Sequence, residues 1–356
     1  MSKRRLALVA SVSAAAIALT GFVTTSAKAA TGFVGVILPD AASSARWESA
    51  DRPFLKAAFE KAGVTADIQN ANGDKAAFAT IADQMLTKGA KVLIMVNLDS
   101  DSAKAVQDKA KAQGVPTIDY DRLTLNGSAS YYVSFDNVAV GKLQGQGIVN
   151  CLKAKGVKKP RVVYLNGSPT DNNATLFKQG YASVVGPYLK STGGTLVADQ
   201  AVPDWDNVKG GTIFEQMLTK AGGKLDAVVS ANEGLGLAAV AVLKKNGLNG
   251  KVCVSGQDAT ADGLAAILTG DLSNTVYKAV KQEANGAADL AVALIKGKKV
   301  NAKGKTNDGK RDVPSVLLVP VGITKANVKV VIADGFQKRA DVCKIATEAV
   351  CKANGI

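Results

Sequence analysis

The chain has no histidine. That absence removes the Ser-His-Asp triad, the Cys-His nucleophile pair and every metal site built on imidazole. Aromatic residues are only 5% of the 356, so a core must be assembled from Ala, Val, Leu and Ile. Cysteine is scarce. Cys151, Cys253, Cys343 and Cys351 include no C-x-x-C, which argues against a redox or zinc motif. Phosphate cradles and nucleophile elbows are missing too. GLGLAA at 234–239 stops at the second glycine of a dinucleotide fingerprint, and neither G-x-x-x-x-G-K-[ST] nor G-x-S-x-G occurs.

What is present begins with a segment unlike the rest. Lys3, Arg4 and Arg5 precede an apolar, Ala-rich stretch from about Leu6 to Val23, and Ala27-Lys28-Ala29 follows with small-x-small spacing. This order reads as a secretory signal peptide over residues 1–29, with a retained membrane anchor as the competing reading. No cysteine near the cleavage site offers a lipid attachment point. Residues 1–29 hold four basic residues and no acid, so the remaining chain carries +10 of the formal +14. Export permits disulfides. Cys343 and Cys351, close together in a helical-looking tail, are the expected pair. Cys253, inside the apolar run VCVS, is expected to be a buried thiol. The basic stretch KGKKVNAKGKTNDGKR (296–311) reads as a solvated loop before the next strand rather than as a contact for an anionic partner. No aromatic interleaving or groove-binding motif points to nucleic acid.

Length allows two domains. Short β-branched runs alternate with helical patterns. GFVGVIL (32–38), a run near 66–69, KVLIMV (91–96) and VPTID (115–119) read as strands, separated by helices near 48–62, 75–87 and 102–112. After YYVSFDN (131–137) the pattern restarts, with a helix to about 154 and strands RVVYL (161–165), TLVADQ, DAVVS (226–230) and KVCVS (251–255). Nearly continuous apolar strands followed by helices predict an α/β protein made of two doubly wound parallel-sheet domains. Ligands of such sheets meet the loops at the carboxyl ends of the strands. The polar clusters 40–47, 97–101, 119–122, 167–173, 203–207, 232–233 and 257–258 all follow strands and fall at that end.

From these clusters the candidate site residues are Arg46, Trp47, Asp121, Arg122, Asn173, Trp205, Asn232, Asp258 and Lys278. Carboxylates accept from hydroxyls, guanidinium and ammonium donate to them, and carboxamides do both. Indole offers a flat face to the C–H side of a sugar ring, and both tryptophans of the chain are in the set. The chemistry suits a neutral polyol. Strand-end Asp and Asn residues also serve as helix caps, and Asp171 and Asn172 fit that role. Asp121 and Asp258 could pair as glycosidase carboxylates. However, Arg46, Arg122 and Lys278 are expected to lower their pKa values, which suits a general acid poorly.

The segments RWESADRPF (46–54), IDYDRL (118–123), YYVSFDNVAVGKLQG (131–145), GSPTDNNATLF (167–177), VSGQDA (254–259), TVYKAV (275–280) and KRDVPSVLL (310–318) together carry a resemblance. The chain resembles periplasmic sugar-binding proteins of the ribose/galactose-binding type, nearest those that serve D-xylose ABC transporters. The likeness runs from about residue 32 to 338. It implies a type I periplasmic-binding-protein fold with a three-segment hinge, crossing near 136–138, 276–278 and 315–318. The lobes would be 30–137 plus 278–315 and 138–277 plus 316–356. It implies that Arg46, Arg122, Asn173, Trp205, Asn232, Asp258 and Lys278 line the sugar pocket, with Trp47 and Asp121 beside them, and that Asn173 faces the sugar while Asp171 and Asn172 shape the loop. It further implies a periplasmic or extracellular monomer that takes D-xylose or a close monosaccharide to an ABC permease, with no catalysis, no cofactor and no metal. Two departures stand out. The tail after about Gly335 extends past the likeness, and Asn232 is followed by Glu233-Gly234 where an Asp and a small residue are expected. A sugar-sensing partner of a membrane receptor and a secreted carbohydrate-active enzyme remain as alternatives. A sugar-responsive repressor does not, because a leader stands where its DNA-binding helices would be.

Overall fold

A computed structural model describes residues 32–356; the expected leader, residues 1–29, lies outside the described residues. The chain opens with β1 (Val34–Leu38), fully buried, as its apolar run requires. The helix expected over 48–62 comes in two parts: a π-helical turn, Trp47–Asp51, and then α1 (Arg52–Ala62). A widened turn stacks residues five apart. Here that brings Asp51 under Arg46, and the two form a fork of hydrogen bonds at 2.7 and 2.8 Å.

Next come β2 (Ala66–Asn70), α2 (Lys75–Thr87), β3 (Val92–Met95), α3 (Ser100–Ala112), β4 (Thr117–Tyr120) and β5 (Tyr131–Phe135). α4 (Asn137–Ala154) leads to a second series: β6 (Arg161–Asn166), α5 (Asn172–Thr192), β7 (Thr195–Ala201), α6 (Asn207–Lys220), β8 (Ala227–Ser230), α7 (Glu233–Lys245), β9 (Cys253–Val254) and α8 (Ala261–Thr269). After β10 (Thr275–Tyr277) the chain returns through α9 (Val280–Ile295) to β11 (Gly304–Asn307) and β12 (Asp312–Leu318). It then goes back to β13 (Val321–Ile323), α10 (Lys329–Ala333), α11 (Arg339–Ala346) and α12 (Glu348–Ala353).

Two parallel sheets result. The first has the order β11-β12-β5-β4-β3-β1-β2, parallel except for β11. The second has the order β7-β6-β8-β9, all parallel, and a single bridge, Ser255 to Asn274, joins it to the antiparallel pair β10-β13. The predicted α/β architecture is therefore present. One core surrounds the second sheet; two smaller ones cover the faces of the first. Three links run between the sheets. β12 stays paired with β5 as far as Leu318 opposite Phe135, so the third link begins later than residue 315.

Two further expectations change. Cys253 is no free thiol: it forms a disulfide with Cys151, joining β9 to α4, and Cys343 pairs with Cys351 as expected. The stretch 296–311 is not all loop, since 304–307 pairs antiparallel with 312–315 as an edge strand. Lysines on such an edge oppose further strand addition. Among the described residues, no helix is long and apolar enough to cross a membrane.

Candidate functional site

Helix starts gather at the strand ends. Asp74, Asp99, Asp136, Asp171, Asp206, Asn232 and Thr260 each cap a helix with a side-chain oxygen. Capping is the ordinary use of such residues. At the two of them that line the inner cavity between the sheets, Asn232 and Asp171, the side chain also reaches across it. Asn232 accepts from Leu235 N and also donates through Nδ2 to Ser43 O, in the loop after β1 of the first sheet, at 3.2 Å. Asp171 accepts from Asn173 N. Its other oxygen takes Arg122 Nε at 3.0 Å and Trp205 Nε1 at 3.1 Å.

All nine sequence candidates line one narrow cavity between the carboxyl ends of the two sheets, about 310 Å3 of atom-free space with the open solvent at its mouth included. None of the nine is more than 6% exposed. Ser43, Ser44, Asp171, Phe177 and Gln257 complete the wall. A larger cleft of about 1190 Å3, including open solvent, lies outside, and Ser43, Arg122, Asp171 and Trp205 border both spaces.

Asp121 is the centre. It has a left-handed φ of 61°, fixed because its carbonyl accepts from Tyr132 Oη, Ser134 Oγ and Asn173 Nδ2. Its carboxylate takes Arg46 Nη1 at 2.9 Å, Lys278 Nζ at 3.1 Å and Asn173 Nδ2 at 3.1 Å. Arg46 is shared further with Asp51 and with Glu283 of α9, at 2.9 Å, and Tyr120 donates to Asp51. Burial alone would raise the Asp121 pKa. Lys278, Arg46 and Arg122 outweigh it and hold the group below the ordinary carboxylate range. Glu283, behind Arg46, goes the other way, pushed well up by burial and by the charge of Asp121.

Asp258 differs from Asp121. Its φ is 124°, a conformation that strains any residue with a Cβ. Ser44 Oγ donates to Oδ2 at 3.0 Å, whereas Oδ1 is buried without a hydrogen bond, 4.0 Å from Lys278 Nζ. Gln257 Oε1 is likewise buried and unmatched. Burial raises the Asp258 pKa despite Lys278 and Arg46, so the expectation that cations lower both carboxyls holds at Asp121 only.

The tryptophans are fixed. Arg46 and Arg122 lie 4.5 and 5.5 Å from the Trp47 ring centre, within cation–π reach. The Trp205 ring lies against Gly167, where a Cβ would come within 2.0 Å of it, and it meets Phe177 edge-on. Of the other polar residues here, Ser44 and Gln257 lie inside the polar clusters 40–47 and 257–258 but were not among the nine candidates, and Asp51 and Glu283 were missed. Asp51 and Glu283 bear on Arg46 from one turn away and from another helix, and no local pattern marks them. Among the described residues, no cluster of potential ligands could hold a metal.

Comparison with known proteins agrees with this architecture. Residues 34–299 match the family model for the periplasmic binding protein domain. The D-xylose-binding periplasmic protein of Escherichia coli is 36% identical over 83% of this chain and 88% of its own length. The multiple sugar-binding periplasmic receptor ChvE of Rhizobium radiobacter is 32% identical over 95% and 99%. An ABC transporter solute-binding protein from Clostridium phytofermentans, solved with β-D-glucose, superposes with a TM-score of 0.79 at 28% identity, covering 87% of this chain and 99% of that one. These relatives are binding proteins and not enzymes. With two parallel sheets facing one buried polar cavity and a family match over most of the chain, the protein belongs to the periplasmic binding proteins, in their type I fold.

Proposed function

We propose that the protein captures one neutral monosaccharide, D-xylose first among candidates, in the cavity between its lobes and delivers it to an ABC permease. The observation that carries this reading is Asp258 Oδ1: a buried carboxylate oxygen, facing a polar cavity, with no donor. An unmet buried acceptor is costly, and a sugar hydroxyl is the kind of donor that satisfies it. Arg46, Asp121, Arg122, Asn173, Asn232 and Lys278 supply further donors and acceptors around the ring, and Trp47 and Trp205 supply flat apolar faces.

The lobes of this reading are those the resemblance implies, with the third boundary moved from 315 to just past Leu318, where β12 leaves β5, and the links between the sheets are the hinge. A ligand that touches both lobes binds best when they are closed, so it shifts the open–closed balance. Residues 1–29 act as a leader, which puts the mature monomer in the periplasm or outside the cell. Handing the bound sugar to a membrane sensor is a second reading, favoured by the resemblance to a protein named as a receptor.

The test is isothermal titration calorimetry of residues 30–356 against D-xylose, L-arabinose, D-ribose and D-glucose. One-to-one binding of xylose, tighter than the others, is expected. Preference for another sugar would keep the mechanism and replace the ligand. Binding of none would overturn the reading.

A further inference from the structure

We propose that Glu233 is a positioning residue that holds Asp258 in its ligand-facing conformation. The inference rests on the sugar-binding reading and assigns a role to the position where this sequence departs from its family pattern.

Glu233 is the first residue of α7, directly after the cap Asn232, and is only 1% exposed. It does not line the cavity. Its carboxylate reaches instead into the back of the loop that carries Asp258. Oε1 accepts from Ala259 N at 2.8 Å and from the hydroxyl of Thr275; Oε2 accepts from Thr260 N at 2.8 Å and from the hydroxyl of Thr260. The Glu233 backbone N–H is bonded to Gln257 O at 3.0 Å. One residue thus ties the loop from both sides.

The loop needs such a tie. Asp258 and Ala259 are consecutive residues with positive φ, 124° and 54°. Backbone in that region persists only when its surroundings over-determine it. Space has been made for the longer acid. A Cβ at Gly263 would fall within 2.1 to 2.3 Å of the Glu233 carboxyl, and one at Gly256 within 2.8 Å of its Cγ. A shorter Asp at 233 could not reach the same donors.

Four donors and no acceptor surround the carboxylate, so the ionised form fits. The groups facing it are Thr260 and Asp258 from the loop, Thr275 from β10 and Gly263 from α8; Asp258 alone among them is charged. Burial and repulsion from Asp258 push the Glu233 pKa up to about 7, against the pull of Thr260 and Thr275. On protonation one hydroxyl must turn or one bond must open. The loop loosens, and the Asp258 oxygen leaves its place. Sugar affinity therefore rises with pH through about 7. Stability moves the other way. A carboxyl whose folded pKa is raised contributes stability below its ordinary pKa, and that contribution is lost as pH rises through the folded value. A merely structural buried acid would change stability with pH and leave the affinity of the folded protein flat.

The experiment is titration of the wild type, Glu233→Gln and Gly263→Ala with D-xylose, or with whichever sugar of the panel binds, from about pH 5.5 to 8.5, with thermal melts alongside. Gly263→Ala displaces the carboxylate by direct steric contact while leaving its charge in place, and alanine favours the helix it joins. The wild type should gain roughly tenfold in affinity per unit of pH near the transition, at most. Both variants should bind roughly tenfold more weakly at high pH and lose the pH dependence. Wild-type affinity that is flat with pH, or variants that keep its affinity and profile, would overturn the inference while leaving sugar binding intact. A wild type that binds no sugar removes the parent reading, and this inference with it.

Discussion

Asp258 is the side chain at which recognition and stability separate. Its carboxyl is pushed up by burial, so the folded state holds its proton longer than the unfolded chain does. Ionisation at neutral pH therefore costs folding stability. By linkage, the contribution of this group is present below the ordinary carboxyl pKa and lost as pH rises past its folded value. Asp258→Asn removes that cost and keeps the shape, but it takes one charged acceptor from the cavity. The expected outcome is sugar affinity at least tenfold weaker, about 1.4 kcal/mol, with a melting temperature at pH 7 equal to or above that of the wild type. Calorimetric titration and thermal melts on the same sample check both. A lower melting temperature with unchanged affinity would mean that the carboxylate serves the fold alone. Trp205→Ala is a poorer probe. The indole is 5% exposed and packed on Phe177 and Gly167, so its loss empties part of the core as well as the site. At this scale the sequence was legible wherever a polar residue closely follows a strand. Glu283 was not, because its meaning comes from Arg46, across the fold from α9.

Among the elements, the βα alternation was readable because buried parallel strands need continuous apolar runs. Pairing across sequence distance was not. Cys253 looked like a core residue because it is one, at 0% exposure; only the fold brings α4 alongside β9 and hence Cys151 to it. β11 was hidden for a different reason. An edge strand with one polar side has weak periodicity, and lysines made it read as loop. The two disulfides give an element-scale test. Cys151–Cys253 spans 102 residues and Cys343–Cys351 spans 8. On chain entropy alone, the long loop is worth about 4.7 kcal/mol and the short one ~2.5 kcal/mol. Cys151→Ala with Cys253→Ala should therefore cost roughly twice the stability lost from Cys343→Ala with Cys351→Ala, read from urea denaturation. An equal or larger loss from the tail pair would show that its helices, which pack against α8, matter more than loop closure.

At the scale of the whole molecule, few bonds cross the cleft between the loops of the two sheets. Apart from the cavity charges, Thr170 reaches Leu98 O, Asn207 reaches Ala42 O, Asn232 reaches Ser43 O and Ser44 reaches Asp258 across the cleft. Most are single neutral contacts, each worth about 1 kcal/mol or less net. Arg122–Asp171 is the exception: a buried ion pair between the lobes, placed where the outer cleft meets the inner cavity. On the proposed closure over a sugar, that position suits a latch. Asp171→Asn keeps a capping oxygen for α5, since Asn and Asp cap about equally well, but takes from Arg122 and from Trp205 Nε1 the oxygen they share. A latch acts on escape more than on entry, because encounter happens while the lobes are open. The expected result is a dissociation rate about tenfold faster, with an association rate changed by no more than about threefold. Both tryptophans of the chain line the cavity, so intrinsic fluorescence in a stopped-flow instrument reports on the site itself. Equal dissociation rates for wild type and variant would show that the neutral rim contacts, not the ion pair, keep the lobes shut. A slower association rate alone would place Arg122–Asp171 in the encounter step, as a steering pair and not a latch.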